Sequence, residues 1–153
     1  LKAFLMERGC TSAVLDLGHN ILLIGEKPGR TPFSIGVRAP EGGEGDISVV
    51  LYARDVSVVT SGTYERFFER DGVRYAHILD PYTGAPADTG VSSVTIISQN
   101  SLSGDALSTT CLLLGKERGL ALIESLENVE ALFLMEDGTR TMSSGFEAYL
   151  EKK

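Results

Sequence analysis

Residues 91–110, VSSVTIISQNSLSGDALSTT, contain the two signals that decide the fold. The first eight residues are rich in β-branched side chains, which favour a strand. Asn100 or Ser101 then offers a side-chain oxygen that can cap a helix. We predict that this helix runs through Leu114 and stops at Gly115, because glycine is typical just past a helix end. The segment therefore predicts a strand followed directly by a helix.

Outward from this segment, the chain consists mostly of short apolar runs that are typical of strands. These runs are residues 11–18, 20–27, 33–40, 47–55, 56–62, 64–70, 73–79, 129–136 and 139–144. Asp71-Gly72 between two alternating runs is a strong hairpin signal. Further helical segments are predicted at residues 1–8, 117–126 and 146–150, and an acidic turn at 41–46. The pattern predicts an α+β fold, a largely antiparallel sheet with helices packed on one face.

Length, charge and cysteine content exclude several classes of protein. A chain of 153 residues suits one domain with a substantial core. Its net charge of −7 disfavours a nucleic-acid partner, and Lys152 and Lys153 are only a basic tail. No apolar run approaches the roughly 20 residues that span a bilayer. Cys10 and Cys111 belong to no metal or redox motif, so we predict two buried free thiols.

The first candidate site lies on the predicted helix after residue 100. Asp105 and Thr109 are four residues apart and share a helical face, with Ser108 beside them. A carboxylate and hydroxyls near a helix start suit Mg²⁺, which prefers oxygen ligands. The simpler alternative is that Asp105 only complements the positive end of the helix dipole.

The second candidate is His77, which ends a predicted strand before the sharp loop that opens at Asp80. An imidazole with a pKa near ~6.5 is a natural general base at neutral pH. The alternative is a structural or solvated histidine.

Two strand ends provide weaker candidates. Thr60, Ser61 and Gly62 would let a ligand approach the backbone closely, or they are only a strand exit. Gly18, between two strands, predicts a positive φ angle, for which a simple turn or bulge is sufficient reason.

The order of these motifs is more specific than any one of them, and it resembles the ApbE family along nearly the whole chain. The matching segments are DLGHN (16–20), TSG (60–62), HILDPYTG (77–84), SVTIIS (93–98), GDALSTTCLLLG (104–115), VEALFLMEDG (129–138) and SSGF (143–146). The pairing of HILDPYTG with DALST some twenty residues later carries most of the specificity.

The resemblance implies a function and a location. ApbE enzymes cleave FAD at its pyrophosphate, pass FMN to a threonine hydroxyl of an acceptor protein, and release AMP with the help of Mg²⁺. Some relatives instead act as FAD pyrophosphatases and yield FMN and AMP. The acceptors are typically subunits of membrane redox complexes. Because most members are bacterial lipoproteins, we expect a periplasmic or extracytoplasmic location, with an anchoring cysteine upstream of Leu1.

The resemblance also implies a T-fold-like architecture and a role for each site residue. Asp105 and Thr109 would be metal ligands, with Ser108 acting less directly, through water. His77 would be the base or orienting group at the acceptor threonine. The remaining residues would contact the flavin nucleotide, namely Thr60, Ser61, Gly62, Ile78, Leu79 and Asp80.

Two departures from the family pattern leave alternatives open. His19 stands where the family has a second glycine, so its side chain either crowds the ligand or adds a hydrogen bond. The chain resembles only the C-terminal half of the family, and we expect the other half upstream or on a separate chain. A non-catalytic flavin-binding remnant, inactive without that half, is therefore a third interpretation.

Overall fold

A computed structural model describes residues 1–40, 42–43 and 45–151, without the side chains of Val73 and Arg74. Lys152 and Lys153 lie outside the described residues, as does part of the predicted acidic turn at 41–46. The elements are α1 (Lys2–Glu7), β1 (Ser12–Asp16), β2 (Asn20–Gly25), β3 (Phe33–Arg38), β4 (Ile47–Ala53), β5 (Ser57–Gly62), β6 (Phe67–Arg70), β7 (Val73–Ala76), β8 (Val91–Ser98), α2 (Ser101–Glu124), β9 (Val129–Met135), β10 (Arg140–Met142) and a final 3₁₀ turn (Phe146–Tyr149).

Six strands form one sheet in the order β1-β2-β5-β8-β9-β10, and every neighbouring pair is antiparallel. The hairpins β3–β4 and β6–β7 form separate two-stranded sheets. At the tip of the second hairpin, Asp71 and Gly72 both have positive φ angles, 53° and 75°. Such angles match the right-handed twist of the flanking strands. The predicted α+β fold with a largely antiparallel sheet is confirmed.

The central strand β8 is buried along its whole length because both faces of the sheet are covered. Ile96 faces one hydrophobic core and Ile97 the other, since successive side chains alternate across a strand. α2 covers the first face, and the β3–β4 hairpin with the final turn covers the second. The sequence prediction of helices on one face is thus right, but the third layer is a hairpin.

α2 begins at the predicted cap and is broken at the predicted glycine. The Asn100 side chain accepts hydrogen bonds from the amides of Leu102 and Ser103, at 2.9 and 3.3 Å. Gly115 interrupts the helix with φ 76° and ψ 173°, so the two predicted helices are continuous except for this kink. In the described part of the chain, no helix combines the length and apolarity needed to cross a membrane.

The two cysteines are free, but only one is fully buried. Cys111 is on the side of α2 that faces the core, where burial raises the pKa of its thiol from 9.0 to about 11. Cys10 is partly exposed, so the prediction of two buried thiols is wrong for this residue. Cys10 follows α1, whose residues are all at least partly exposed, which leaves its thiol near the surface.

Phe133 provides a test of the core between α2 and the sheet. Its ring is fully buried and packs against Gly119. Phe133→Ala should lower the free energy of unfolding by about 3–5 kcal/mol in urea denaturation, because it leaves a cavity. The matched control, Phe4→Ala on the exposed α1, should cost less than about 1 kcal/mol. Equal losses in the two variants would contradict this description of the core.

Candidate functional site

A cleft of about 480 Å³ opens where β5 ends, β7 ends and α2 begins. It is lined by Gly18, His19, Thr60, Ser61, Gly62, Glu65, Arg66, His77, Ile78, Leu79, Asp105, Thr109 and Leu113. All but two of the predicted site residues are in this set, the exceptions being Asp80 and Ser108. Three segments that are distant in sequence therefore meet in one cleft.

The start of α2 approaches the sheet closely because residue 104 has no side chain. A Cβ atom on Gly104 would lie 2.9 Å from Val59 Cγ2 and 3.0 Å from Ser98 Oγ. The hydroxyl of Ser101 also donates to the side-chain amide oxygen of Asn20, which ties the first turn to β2. This approach places Asp105 and Thr109 over the end of β5.

A chain of hydroxyls joins α2 to β5. Ser61 Oγ lies 2.8 Å from Ser108 Oγ and 3.1 Å from Thr109 Oγ1. Ser108 donates to the carbonyl of Asp105 at 3.0 Å, and a carbonyl can only accept. With one proton on each hydroxyl, Ser61 must then donate to Ser108, and Thr109 to Ser61. This direction leaves the lone pairs of Thr109 Oγ1 available to the cleft.

Ser108 is fully buried beneath the cleft and does not line it. Its hydroxyl is engaged with Ser61 and with a backbone carbonyl. A role in holding a metal through water stays a prediction. What the structure shows is that Ser108 orients the hydroxyls that do face the cleft.

His77 is held in one orientation by the backbone of the facing strand. Its Nδ1 lies 3.0 Å from the carbonyl oxygen of Arg66, which also accepts from the His77 amide at 3.0 Å. Because a carbonyl only accepts, Nδ1 must carry a proton. In the neutral ring, Nε2 then carries a lone pair, and the exposed imidazole lines the cleft. This tautomer suits proton abstraction.

The residues of the loop after His77 lie partly in the core and partly at the cleft. Ile78 is buried, whereas Leu79 is half exposed at the cleft edge. The carboxylate of Asp80, predicted to contact a nucleotide, accepts from the amides of Tyr82 and Thr83 at 2.7 and 3.1 Å. Asp80 therefore shapes the loop, and direct nucleotide contact by it stays a prediction.

The glycines at the strand ends are required either by a positive φ angle or by close packing. Gly18 has φ 78°, as its position predicted, and its amide donates to Asp16 Oδ1 at 3.0 Å. A Cβ atom on Gly62 would lie 2.8 Å from Cε1 of Tyr64, so glycine is needed there for packing. His19 also has a positive φ, 59°, and its Nε2 lies 3.2 Å from Glu65 Oε2. Its side chain thus binds the cleft wall.

Sequence reasoning missed Glu65, Arg66 and Leu113 as lining residues. The position of Arg66 could have been predicted from the register of the β6–β7 hairpin. The two-residue turn Asp71-Gly72 pairs Phe67 with Ala76, which puts the next residues out, Arg66 and His77, opposite each other. Arg66 adds a cationic residue to the cleft lining, and a guanidinium suits phosphate.

The oxygen donors in the cleft fit Mg²⁺ in part. No group of three or more His, Cys, Asp or Glu side chains is placed to hold a metal among the residues described. Asp105 and Thr109 nevertheless offer a carboxylate and a hydroxyl, and Mg²⁺ usually takes its other ligands from waters and phosphates. The cleft therefore suits a cation that arrives with a phosphate-bearing ligand.

Two of the other cavities in the described part of the chain are comparable to the cleft in volume. One, of about 370 Å³, is lined by the acidic residues Asp88 and Glu136 and by no basic residue among those described, which disfavours an anionic ligand. A more open depression of about 550 Å³ runs from α1 to the start of α2 and shares Asp105 with the cleft. Of the three, the cleft alone combines both histidines with an arginine.

Comparison with known proteins gives one consistent family. The family model described as ApbE family matches residues 1–133. A protein named FAD:protein FMN transferase from Treponema pallidum is 47% identical over 142 residues, which cover 88% of this chain and 39% of that protein. One of the same name from Klebsiella pneumoniae is 38% identical and covers 94% of this chain and 44% of its own length.

A solved structure shares the fold. The crystal structure of the ApbE protein from Thermotoga maritima superposes with a TM-score of 0.83 at 39% identity, over 92% of this chain and 45% of that one. The chain thus spans less than half the length of the relatives it matches.

The close approach at Gly104 gives a prediction about the site. Alanine is normally favoured over glycine in a helix by about 1 kcal/mol. Here the added methyl group would meet the stiff, β-branched Val59, so Gly104→Ala should instead destabilise the chain by about 1–3 kcal/mol in urea denaturation. Ser103→Ala on the exposed side of the same turn is the control and should change stability by less than about 0.5 kcal/mol. A stabilised Gly104→Ala chain would show that the helix start is not tightly packed.

Proposed function

Because the chain belongs to the ApbE family, we propose that it carries the catalytic cleft of a magnesium-dependent FAD:protein FMN transferase. The single observation that supports this most is the cleft itself. It joins an imidazole with its lone pair on Nε2, a carboxylate beside an available hydroxyl oxygen, and an arginine. These are the groups that phosphoryl transfer to a hydroxyl requires.

The proposed reaction moves the FMN half of FAD to a threonine hydroxyl of an acceptor protein. The hydroxyl oxygen attacks the phosphorus on the FMN side of the pyrophosphate. The bond from that phosphorus to the bridging oxygen breaks, and AMP leaves with the oxygen. His77 Nε2 takes the proton of the attacking hydroxyl, while the Arg66 carbonyl keeps the ring oriented. The product is a phosphoester between threonine and FMN.

Asp105 and Thr109 are the proposed ligands of the Mg²⁺ ion. When bound, the ion would neutralise the charge that phosphoryl transfer builds on the phosphate oxygens. Thr109 can serve because its proton is directed towards Ser61, which leaves the lone pairs of its hydroxyl oxygen available. Thr60, Ser61 and Gly62 form the cleft wall along which the nucleotide would lie. Arg66 would pair with phosphate from the facing strand.

The wider setting is proposed from the family resemblance. The acceptor would be a subunit of a membrane redox complex, and the protein a lipoprotein on the extracytoplasmic side of the bacterial membrane. The names of the Treponema and Klebsiella relatives, FAD:protein FMN transferase, support a protein acceptor. Because those relatives are more than twice as long, we also propose that the other half of the family fold contributes to the complete site.

Calorimetric titration of the chain with FAD tests the metal ligand. We expect FAD to bind more tightly with Mg²⁺ present. Asp105→Ala should weaken the FAD affinity measured with Mg²⁺ at least tenfold, because it removes the carboxylate. Asp88→Ala, a carboxylate in the second cavity, is the control and should bind like the parent chain. An FAD affinity that is changed neither by Mg²⁺ nor by Asp105→Ala would contradict the proposed metal site.

A chromatographic assay for AMP, with an acceptor protein that contains a target threonine, tests the base. His77→Gln should leave FAD affinity within about threefold and slow AMP release by roughly 10²- to 10⁴-fold, since general base catalysis is worth that much. A fluorescent, covalently flavinylated acceptor would establish transfer. Free FMN instead would indicate the pyrophosphatase, and flavin binding without any AMP would indicate the non-catalytic alternative.

A further inference from the structure

The two histidines of the chain contact consecutive residues, His19 contacting Glu65 and His77 contacting Arg66. The Nε2 atom of His19 lies 3.2 Å from the Glu65 carboxylate. The Nδ1 atom of His77 lies 3.0 Å from the carbonyl oxygen of Arg66. The two imidazoles approach this dipeptide from different elements, the β1–β2 turn and the end of β7, and all four residues line the cleft.

Glu65 is the most heavily contacted side chain of this group. Its Oε2 faces His19, and its Oε1 accepts from Arg38 Nη1 at 3.4 Å. Its side chain is only 23% exposed, compared with 54% for His19. The Arg38 guanidinium also lies 5.6 Å from the ring centre of Tyr64, the preceding residue. Glu65 thus holds the backbone just before β6 against two other elements.

The carbonyl that orients His77 belongs to the next residue along this backbone. Phe67 begins β6, so Arg66 lies at the open end of the β6–β7 hairpin, between that strand and Glu65. The amide and Nδ1 of His77 both donate to that one carbonyl. A rotation of the peptide between Arg66 and Phe67 would break both hydrogen bonds and release the imidazole to its other tautomer.

We propose that Glu65, clamped by His19 and Arg38, is a positioning residue that keeps the Arg66 carbonyl aimed at His77 and thereby fixes the His77 tautomer. The proposal rests on the proposed role of His77 only for its consequence in catalysis. The coupling between the two histidines is a property of the folded chain and can be measured without FAD.

The size of the effect follows from the exposure of the ion pairs. The Arg38–Glu65 pair stays charged when both imidazoles are neutral, and pairs as accessible as this one shift an equilibrium by about 1.5- to 5-fold. Removal of Glu65 breaks contacts with two partners, so the resulting shift of the tautomer equilibrium should lie near the upper end of that range. Removal of His19 alone should give a smaller shift in the same direction.

The test is ¹⁵N-resolved NMR of the two imidazoles in the 153-residue chain, at a pH where both rings are neutral. In the parent chain, we expect His77 to carry its proton on Nδ1. Glu65→Ala should raise the fraction of the Nε2–H tautomer of His77 by about fivefold, and Glu65→Gln by less because it keeps an acceptor for His19. His19→Gly should also raise it, without backbone strain, since glycine accepts the positive φ of residue 19.

Arg30→Gly and Glu26→Gln are matched controls. Arg30 also has a positive φ, 61°, and pairs with Glu26 at 3.5 Å in a turn away from the cleft. Neither control should change the His77 tautomer ratio. Thermal unfolding establishes that each variant is folded. If Glu65→Ala does not fold, the tautomer ratio of His19→Gly is the deciding measurement. An unchanged ratio in the folded Glu65 and His19 variants would overturn the proposal, whereas loss of AMP release with an intact coupling would bear only on the proposed function.

Discussion

The cleft depends on the contact between the start of α2 and the end of β5. Gly104 permits that contact, because any side chain there would collide with Val59 and Ser98. The hydroxyl of Ser61 then joins Ser108 and Thr109 across the gap. Hydrogen bonds between hydroxyls are short and directional, so they set the orientation of the groups as well as their distance. Without this contact, Asp105 and Thr109 would have no fixed relation to the strand ends.

The rest of the fold supports this contact from both sides. α2 lies on β8, β5 and β9, and its Cys111 is buried in the same core as Phe133 of β9. The β3–β4 hairpin covers the opposite face of the same strands, so the sheet that carries Ser61 is packed on both faces. Close packing of this kind transmits small displacements, since interiors have few voids to absorb them. The proposed chemistry therefore rests on a rigid layer, while its base, His77, is held by a backbone carbonyl outside that layer.

Local signals in the sequence predicted most of the elements and the cleft residues that follow helical or strand periodicity. The Asn100 cap, the break at Gly115 and the Asp71-Gly72 turn all depend on a few neighbouring residues. Spacing could not decide whether Ser108 or Thr109 faces the cleft, because both share a helical face with Asp105. The position of the β3–β4 hairpin on the second face of the sheet was also not predicted. Strands that pair only with each other carry no sequence signal for the face that they cover. Contacts such as His19 with Glu65 join residues 46 positions apart and require the tertiary fold.

Whether the three segments form one FAD site can be tested by an amide NMR titration of the ¹⁵N-labelled chain with FAD in the presence of Mg²⁺. We expect the largest shifts to appear together at Thr60 to Gly62, His77 to Leu79 and Asp105 to Thr109, the three segments that form the cleft. Shifts centred on Thr63, Tyr75 and Asp88, which line the second cavity, would place the ligand elsewhere and show that the cleft is not the FAD site.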